Sequence, residues 1–201
     1  MLTNPFARGS EPHLLVVGMT GAKLGERIAQ IGCPHGGRLA AVAKKVGLSG
    51  HAVAIVRDEP SAERARKGAA AAGVLVEVEI APPTRVPLED AGFDLVLVDD
   101  TDGFFCALRG DDRVLAVREA LRVLRPGGRV LMIGSTPRGG LGGLLTRRTG
   151  APAFNLGPAL EAGGFWAVRT LAEREGLVFV EGIKPRERPG GQDRQEEGQH
   201  R

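Results

Sequence analysis

The sequence predicts an α/β fold: a seven-stranded, mostly parallel sheet with helices on both faces and a C-terminal antiparallel hairpin. Three observations carry this expectation. From about His13 to about Lys184, short β-rich runs alternate with helical stretches, the order that lays strands parallel and packs the connecting helices over them. The last two β-rich runs are separated only by Ala172 to Gly176, too short for a crossover, so they pair antiparallel. With 201 residues, 42% of them hydrophobic, the chain builds one sizeable core and is too short for two ordinary domains.

The strands are expected at Arg27 to Ile31, Ala52 to Val56, Leu75 to Ile80, Asp94 to Val98, Arg129 to Ile133, Ala167 to Leu171 and Leu177 to Glu181. A helix from Ala62 to Ala72 follows Pro60, suited to a first turn, and Ser61, suited to a cap, and stops at Gly73. The clearest helix runs from Asp112 to Leu124, where Val114, Val117, Leu121 and Leu124 recur at helical spacing. Arg125-Pro126-Gly127-Gly128 ends it and the next strand starts at once. Ahead of strand one, Leu14 to Val17 followed by glycines up to Gly25 looks like a strand and a glycine-rich turn of the kind that cradles a dinucleotide. Gly18 lies too far before the His51 to Asp58 run for that motif, in which about 20 residues separate loop from acidic position. Residues His13 to Gly25 are therefore read as a lid or entry segment preceding strand one. The domain organisation expected is an irregular leader over 1–12, one domain over 13–185 and a disordered polar tail over 186–201, which has no apolar residue to bury.

Composition excludes several functions. The net charge is +3, but Lys and Arg interleave with Asp and Glu, with no basic block to follow phosphates. The chain has no tyrosine and one tryptophan, a poor platform for stacking bases, so nucleic acid is not an expected partner. Cys33 and Cys106 come without a signal peptide or a secreted-type framework, which fits reduced thiols and a cytoplasmic location. The scattered Cys and His match no zinc spacing, and no metal is expected. The apolar runs Leu14 to Val17 and Leu95 to Val98 fall far short of the roughly 20 residues of a membrane span.

Three segments, in order, carry a resemblance: GFDLVLVDD (Gly92 to Asp100), REALRVLRPGGRVLMIG (Arg118 to Gly134) and LEAGGFWAVRTLAEREGLVFVEGIKP (Leu160 to Pro185). Together they resemble the class I S-adenosylmethionine-dependent methyltransferases, specifically the small-molecule, methyltransferase type 11-like branch with its Rossmann-like sheet. The resemblance implies S-adenosylmethionine bound at the carboxyl ends of the first strands, where open α/β sheets hold ligands. It aligns the family's glycine loop with Gln30 to Gly37, and it implies cofactor contacts from Gln30, Gly32, Cys33, Gly36, Asp58 and Asp99. This sequence departs from the family pattern at four places. Gln30 replaces a carboxylate, Pro34 the central glycine, Val56 the ribose-binding acid with Asp58 two residues late, and Pro82 an Asp near the adenine amino group.

Methyl transfer needs alignment of the methyl carbon with a nucleophile, exclusion of water and, as an extra, removal of a proton. Asp99 and Asp100, with Asp102 beyond them, end strand four where a general base would stand. His35 is a second candidate base in the loop. The bland alternatives are solvated strand-end acids, a solvated loop histidine and a packed Cys33. Arg138, Arg147 and Arg148 stand where the family caps its substrate pocket and would meet an anionic acceptor. Three functions remain open: a methyltransferase for a small-molecule or lipid-like acceptor, a methyltransferase-like pseudoenzyme serving a protein partner as scaffold or subunit, and an NAD(P)-binding Rossmann protein. Oligomeric state is not legible.

Overall fold

A computed structural model describes residues 13–136 and 156–186. The expected leader over 1–12, the tail beyond Arg186 and the three pocket-capping arginines lie outside the described residues. The described elements are, in chain order, α1 (Leu14–Thr20), β1 (Arg27–Ile31), α2 (Gly36–Val46), β2 (His51–Val56), α3 (Glu59–Ala72), β3 (Glu77–Ile80), β4 (Phe93–Asp100), α4 (Gly110–Val123), β5 (Leu124–Ser135), α5 (Gly157–Gly163), β6 (Trp166–Arg174) and β7 (Leu177–Ile183).

The strands form one seven-stranded sheet in the order β3-β2-β1-β4-β5-β7-β6. The pairings among β3, β2, β1, β4 and β5 are parallel, and β7 is antiparallel to both β5 and β6. Strand residues alternate between two faces, as the pleat requires. Ala29, Ile31, Val53, Ile55, Val96, Val98, Val130 and Met132 pack with Ala116, Val117 and Ala120 of α4 and Leu160 of α5. Ile28, Ala52, Leu95, Leu97, Leu131 and Ile133 pack with Val16 of α1 and with Val42, Ala43 and Val46 of α2. Both faces of the central strands are thus covered, which is why these strands read as continuous apolar runs rather than alternating ones.

Local chemistry sets the boundaries. Helix α3 starts three residues earlier than the expected Ala62, because the Asp58 carboxylate, not Ser61, caps it by accepting the Ser61 amide at 2.8 Å. Strand β3 begins at Glu77 rather than Leu75, and β5 runs from Leu124, so the Arg125 to Gly128 turn is a bulged start of the strand, marked by the register shift between Phe93 and Leu95. The β6–β7 hairpin turns through Glu175 and Gly176, both at positive φ (54° and 76°), as a tight right-twisting hairpin demands. The strand-like run Leu14 to Val17 is instead the helix α1, with Val16 and Thr20 buried one turn apart. Strand β1 already has β2 and β4 on its two sides, so the centre of the sheet offers this run no edge, and it covers α2 as a helix.

Candidate functional site

Strand β1 ends at Ile31, beside Ile55 on one side and Val98 on the other, so that β2 continues one residue beyond it to Val56 and β4 two residues to Asp100. The chain leaves β1 through Gly32 at φ +81°, its amide donating to the Ile55 carbonyl at 2.9 Å. Cys33-Pro34-His35 then leads into α2, with His35 exposed in extended backbone at the cap position and making no side-chain cap bond. Gly36 faces away from this cleft: a Cβ there would collide with the Arg64 backbone carbonyl of α3, as one on Gly68 would collide with Gly36. The loop's second glycine is therefore where two helix backbones touch.

At the end of β4, Asp99 is fully buried and Arg38, from the first turns of α2, reaches it. Arg38 Nη1 donates to both Asp99 oxygens at 2.8 Å and to Thr101 Oγ1 at 3.1 Å, while the Thr101 hydroxyl donates to Asp99 Oδ1 at 2.8 Å. Two atoms beside this network are buried without a partner among the described residues: Arg38 Nε and Gln30 Oε1. The other end of Gln30 donates from Nε2 to the Gly32 carbonyl at 2.9 Å, so an amide there braces the loop. Asp100 is also buried and accepts the Phe105 amide at 2.6 Å and the Cys106 amide at 3.2 Å. Burial pushes its carboxyl up from the ordinary value, opposed by the bonds from Cys106 and Phe105. Asp100 thus shapes the loop after β4. His13, ahead of α1, sets its imidazole over Gly37, and burial first, then Arg38 and His35, lower its pKa.

The β2 side is different. Val56, at the ribose position, is buried and apolar. Asp58 serves as the α3 cap, its pKa lowered by the Ser61 hydrogen bonds. Arg57 lies between Asp58 (3.2 Å) and Asp102 (3.5 Å), with its guanidinium 5.6 Å from the centre of the Phe104 ring. Phe104 in turn lies on Gly32: a Cβ on that glycine would stand 2.5 Å from the ring. The cavity bounded by Ile31, Gly32, Ile55, Ala81 and Phe104 holds about 10 Å³, room for roughly one water. Cys33, also on its wall, has its thiol pushed up to about 11 by burial, so it is no thiolate at neutral pH.

The fold thus gathers Gln30, Gly32, Cys33, Asp99 and Asp100 at one end of the sheet. Gly36 stands at the α2–α3 contact, His35 at an exposed cap and Asp58 in a helix cap. Sequence reading missed Arg38, Thr101, Phe104 and His13. Arg38 meets Asp99 across 61 positions of chain, a separation no local pattern reports; Phe104 follows Asp102-Gly103, a turn signal that would have marked a bend but not its target. The S-adenosylmethionine implied by the resemblance fits in polar kind, through the orphaned Gln30 and Arg38 atoms and the side-chain-free cradle at Gly32. The space beside that cradle is taken by the Phe104 ring.

Comparison with known proteins agrees with this topology. The chain is 35% identical over 111 residues to an uncharacterized 37.1 kDa protein in transposon TN4556 of Streptomyces fradiae, a match that spans 55% of this chain and 30% of that one. Its fold is similar to that of a SAM-dependent methyltransferase from Aquifex aeolicus, with a TM-score of 0.66 at 22% identity over 85% of this chain and 88% of that one. It is also similar to a chain in the complex between the Haloferax volcanii Trm112 methyltransferase activator and a methyltransferase, with a TM-score of 0.64 at 13% identity over 87% and 88% of the two chains. The profile of the methyltransferase domain family matches residues 29–132, from within β1 to within β5. With the match spanning just over half of its length, the chain belongs to that methyltransferase domain family and is a class I methyltransferase-like protein whose family cofactor is S-adenosylmethionine.

Proposed function

We propose that the chain transfers a methyl group to a small-molecule or lipid-like acceptor. The observation that carries this is the family match from within β1 to within β5, the parallel strands whose ends include Gly32 and Asp99. S-adenosylmethionine, when bound, supplies an electrophilic methyl carbon. Its amino-acid end would be held by Gly32, Cys33 and the free atoms of Gln30 and Arg38, with Asp99 as its acidic surroundings, while Gly36 at the α2–α3 contact and Asp58 in the α3 cap stand outside this set. Both Asp99 oxygens already accept bonds from Arg38 and Thr101, so Asp99 acts in this reading by positioning Arg38. Asp100 acts by holding the loop that carries Phe104. Proton removal then falls to His35 or, with its lowered pKa, to His13, which is neutral at pH 7 and able to accept a proton.

The domain over 13–185 is proposed as the working unit, in the cytoplasm. A protein partner is a reasonable addition, since one similar fold is solved in complex with a methyltransferase activator. No helix among the described residues is long and apolar enough to cross a membrane. The test is titration of S-adenosylmethionine and S-adenosylhomocysteine by calorimetry and thermal shift, with NADP as control. A ligand that binds only the native state raises the melting temperature. A rise with the two adenosyl compounds and none with NADP supports the enzyme; no heat and no shift up to about millimolar ligand, equivalent to binding weaker than roughly 4 kcal/mol, overturns it.

A further inference from the structure

We propose that Phe104 is an autoinhibitory plug: its ring takes the place over Gly32 that the cofactor would occupy, and the Arg57–Asp102 ion pair latches it there. The inference rests on the reading that S-adenosylmethionine binds at the carboxyl ends of β1, β2 and β4. Gly32 combines positive φ with a missing side chain, which opens a backbone cradle of the kind a ligand can approach. Here the cradle is filled from within, ring carbons of Phe104 standing 2.5 and 3.0 Å and the Asp99 carbonyl oxygen 2.8 Å from where a Cβ would be, and of these only the ring belongs to a movable side chain.

The ring packs against the margin of the core without being enclosed by it. Phe105 next to it is fully buried, whereas Phe104 is only half-buried and meets Phe105 edge-on with ring centres 5.9 Å apart. The loop frame is fixed independently of the ring. Asp100 accepts the amides of Phe105 and Cys106, and Arg113 donates to the carbonyls of Cys106 and Leu108. Immediately before Phe104, Gly103 has φ +76° and open space where a side chain would go, so the ring can swing while the frame stays. The latch is soft: Arg57 is about half exposed and Asp102 about a third, and exposed ion pairs bind weakly and are screened by salt. A protein whose open form is a minor fraction binds its ligand more weakly in that proportion. The plug thus sets affinity without removing the site.

The test is S-adenosylhomocysteine binding by calorimetry to the full chain and to Phe104→Ala, Phe104→Leu and Arg57→Gln, each checked for an unchanged thermal transition. Phe104→Ala is expected to tighten Kd by about tenfold, with smaller gains for Phe104→Leu and Arg57→Gln. Raising NaCl from about 0.05 to about 1 M should move the parent chain toward Phe104→Ala and leave that variant unmoved. Should Phe104→Ala fold poorly, Arg57→Gln and the salt series still report the latch. Binding by the parent and Phe104→Ala with equal Kd overturns the plug and leaves the cofactor site standing. Weaker binding by Phe104→Ala also overturns the plug, because the ring would then be a stacking partner. No binding by any chain overturns both the plug and the site.

Discussion

The two ends of the sheet hold opposite kinds of space. At the carboxyl end, among the described residues, buried polar groups are dense and the cavity between Gly32 and Phe104 holds only about 10 Å³. At the amino end, a groove of about 550 Å³ runs between the end of α2 and the α3–β3 connection, lined by Ala43, Val46, Ala52, Val74 and Val76 and flanked by the exposed Leu48 and Leu75. The larger space has the poorer chemistry: Lys44 and the His51–Glu77 pair at 3.1 Å are its main charged features. Volume alone would point to the amino end. What marks a site is convergence of buried groups that have something left to bind, here Arg38 Nε and Gln30 Oε1.

That contrast is open to direct attack. The largest effect is expected from Arg38→Ala, which leaves Asp99 fully buried and without its cation; urea unfolding should show a loss of about 3–5 kcal/mol. A loss below about 1 kcal/mol would mean the carboxyl end is not the rigid, charged half described above. Next is Asp100→Asn, which keeps one acceptor for the loop amides and loses the other, a cost of about 1 kcal/mol at pH 7. Its pH dependence has a definite sign. Burial raises the native pKa of Asp100 above the ordinary 3.8, so the native state holds more protons than the unfolded chain in that window. The parent's stability advantage over the variant must then shrink as pH rises from about 4 through the native pKa and stay level above it. An advantage that grows with pH would contradict the burial argument. The smallest effect belongs to the other end: Leu48→Ser, at a side chain 89% exposed, should change the unfolding free energy by no more than about 0.5 kcal/mol.

Much of the fold was legible because its signals are local. The helix over α4 announced itself by apolar residues at helical spacing, and the hairpin by the shortness of its turn. Where local preference met a competing tertiary demand, the reading slipped. Leu14 to Val17 has the composition of a strand, yet it lies as α1 over α2 because β1 is already paired on both sides. Asp58 looked like a displaced ribose contact, and its carboxylate is spent on the α3 cap. Gly36 looked like a cofactor glycine, and the atom it lacks is the one that would separate α2 from α3.

The sequence by itself determined the strand and helix order, the single core and the end of the sheet at which Gln30, Gly32 and Asp99 would meet. These follow from hydrophobic period and turn chemistry, which act over a few residues. Only the tertiary structure decided that Arg38 closes on Asp99 and that Phe104 lies on Gly32. Those contacts join positions 61 and 72 residues apart, and their geometry is set by how α2 and the loop after β4 pack, which no short stretch of chain encodes.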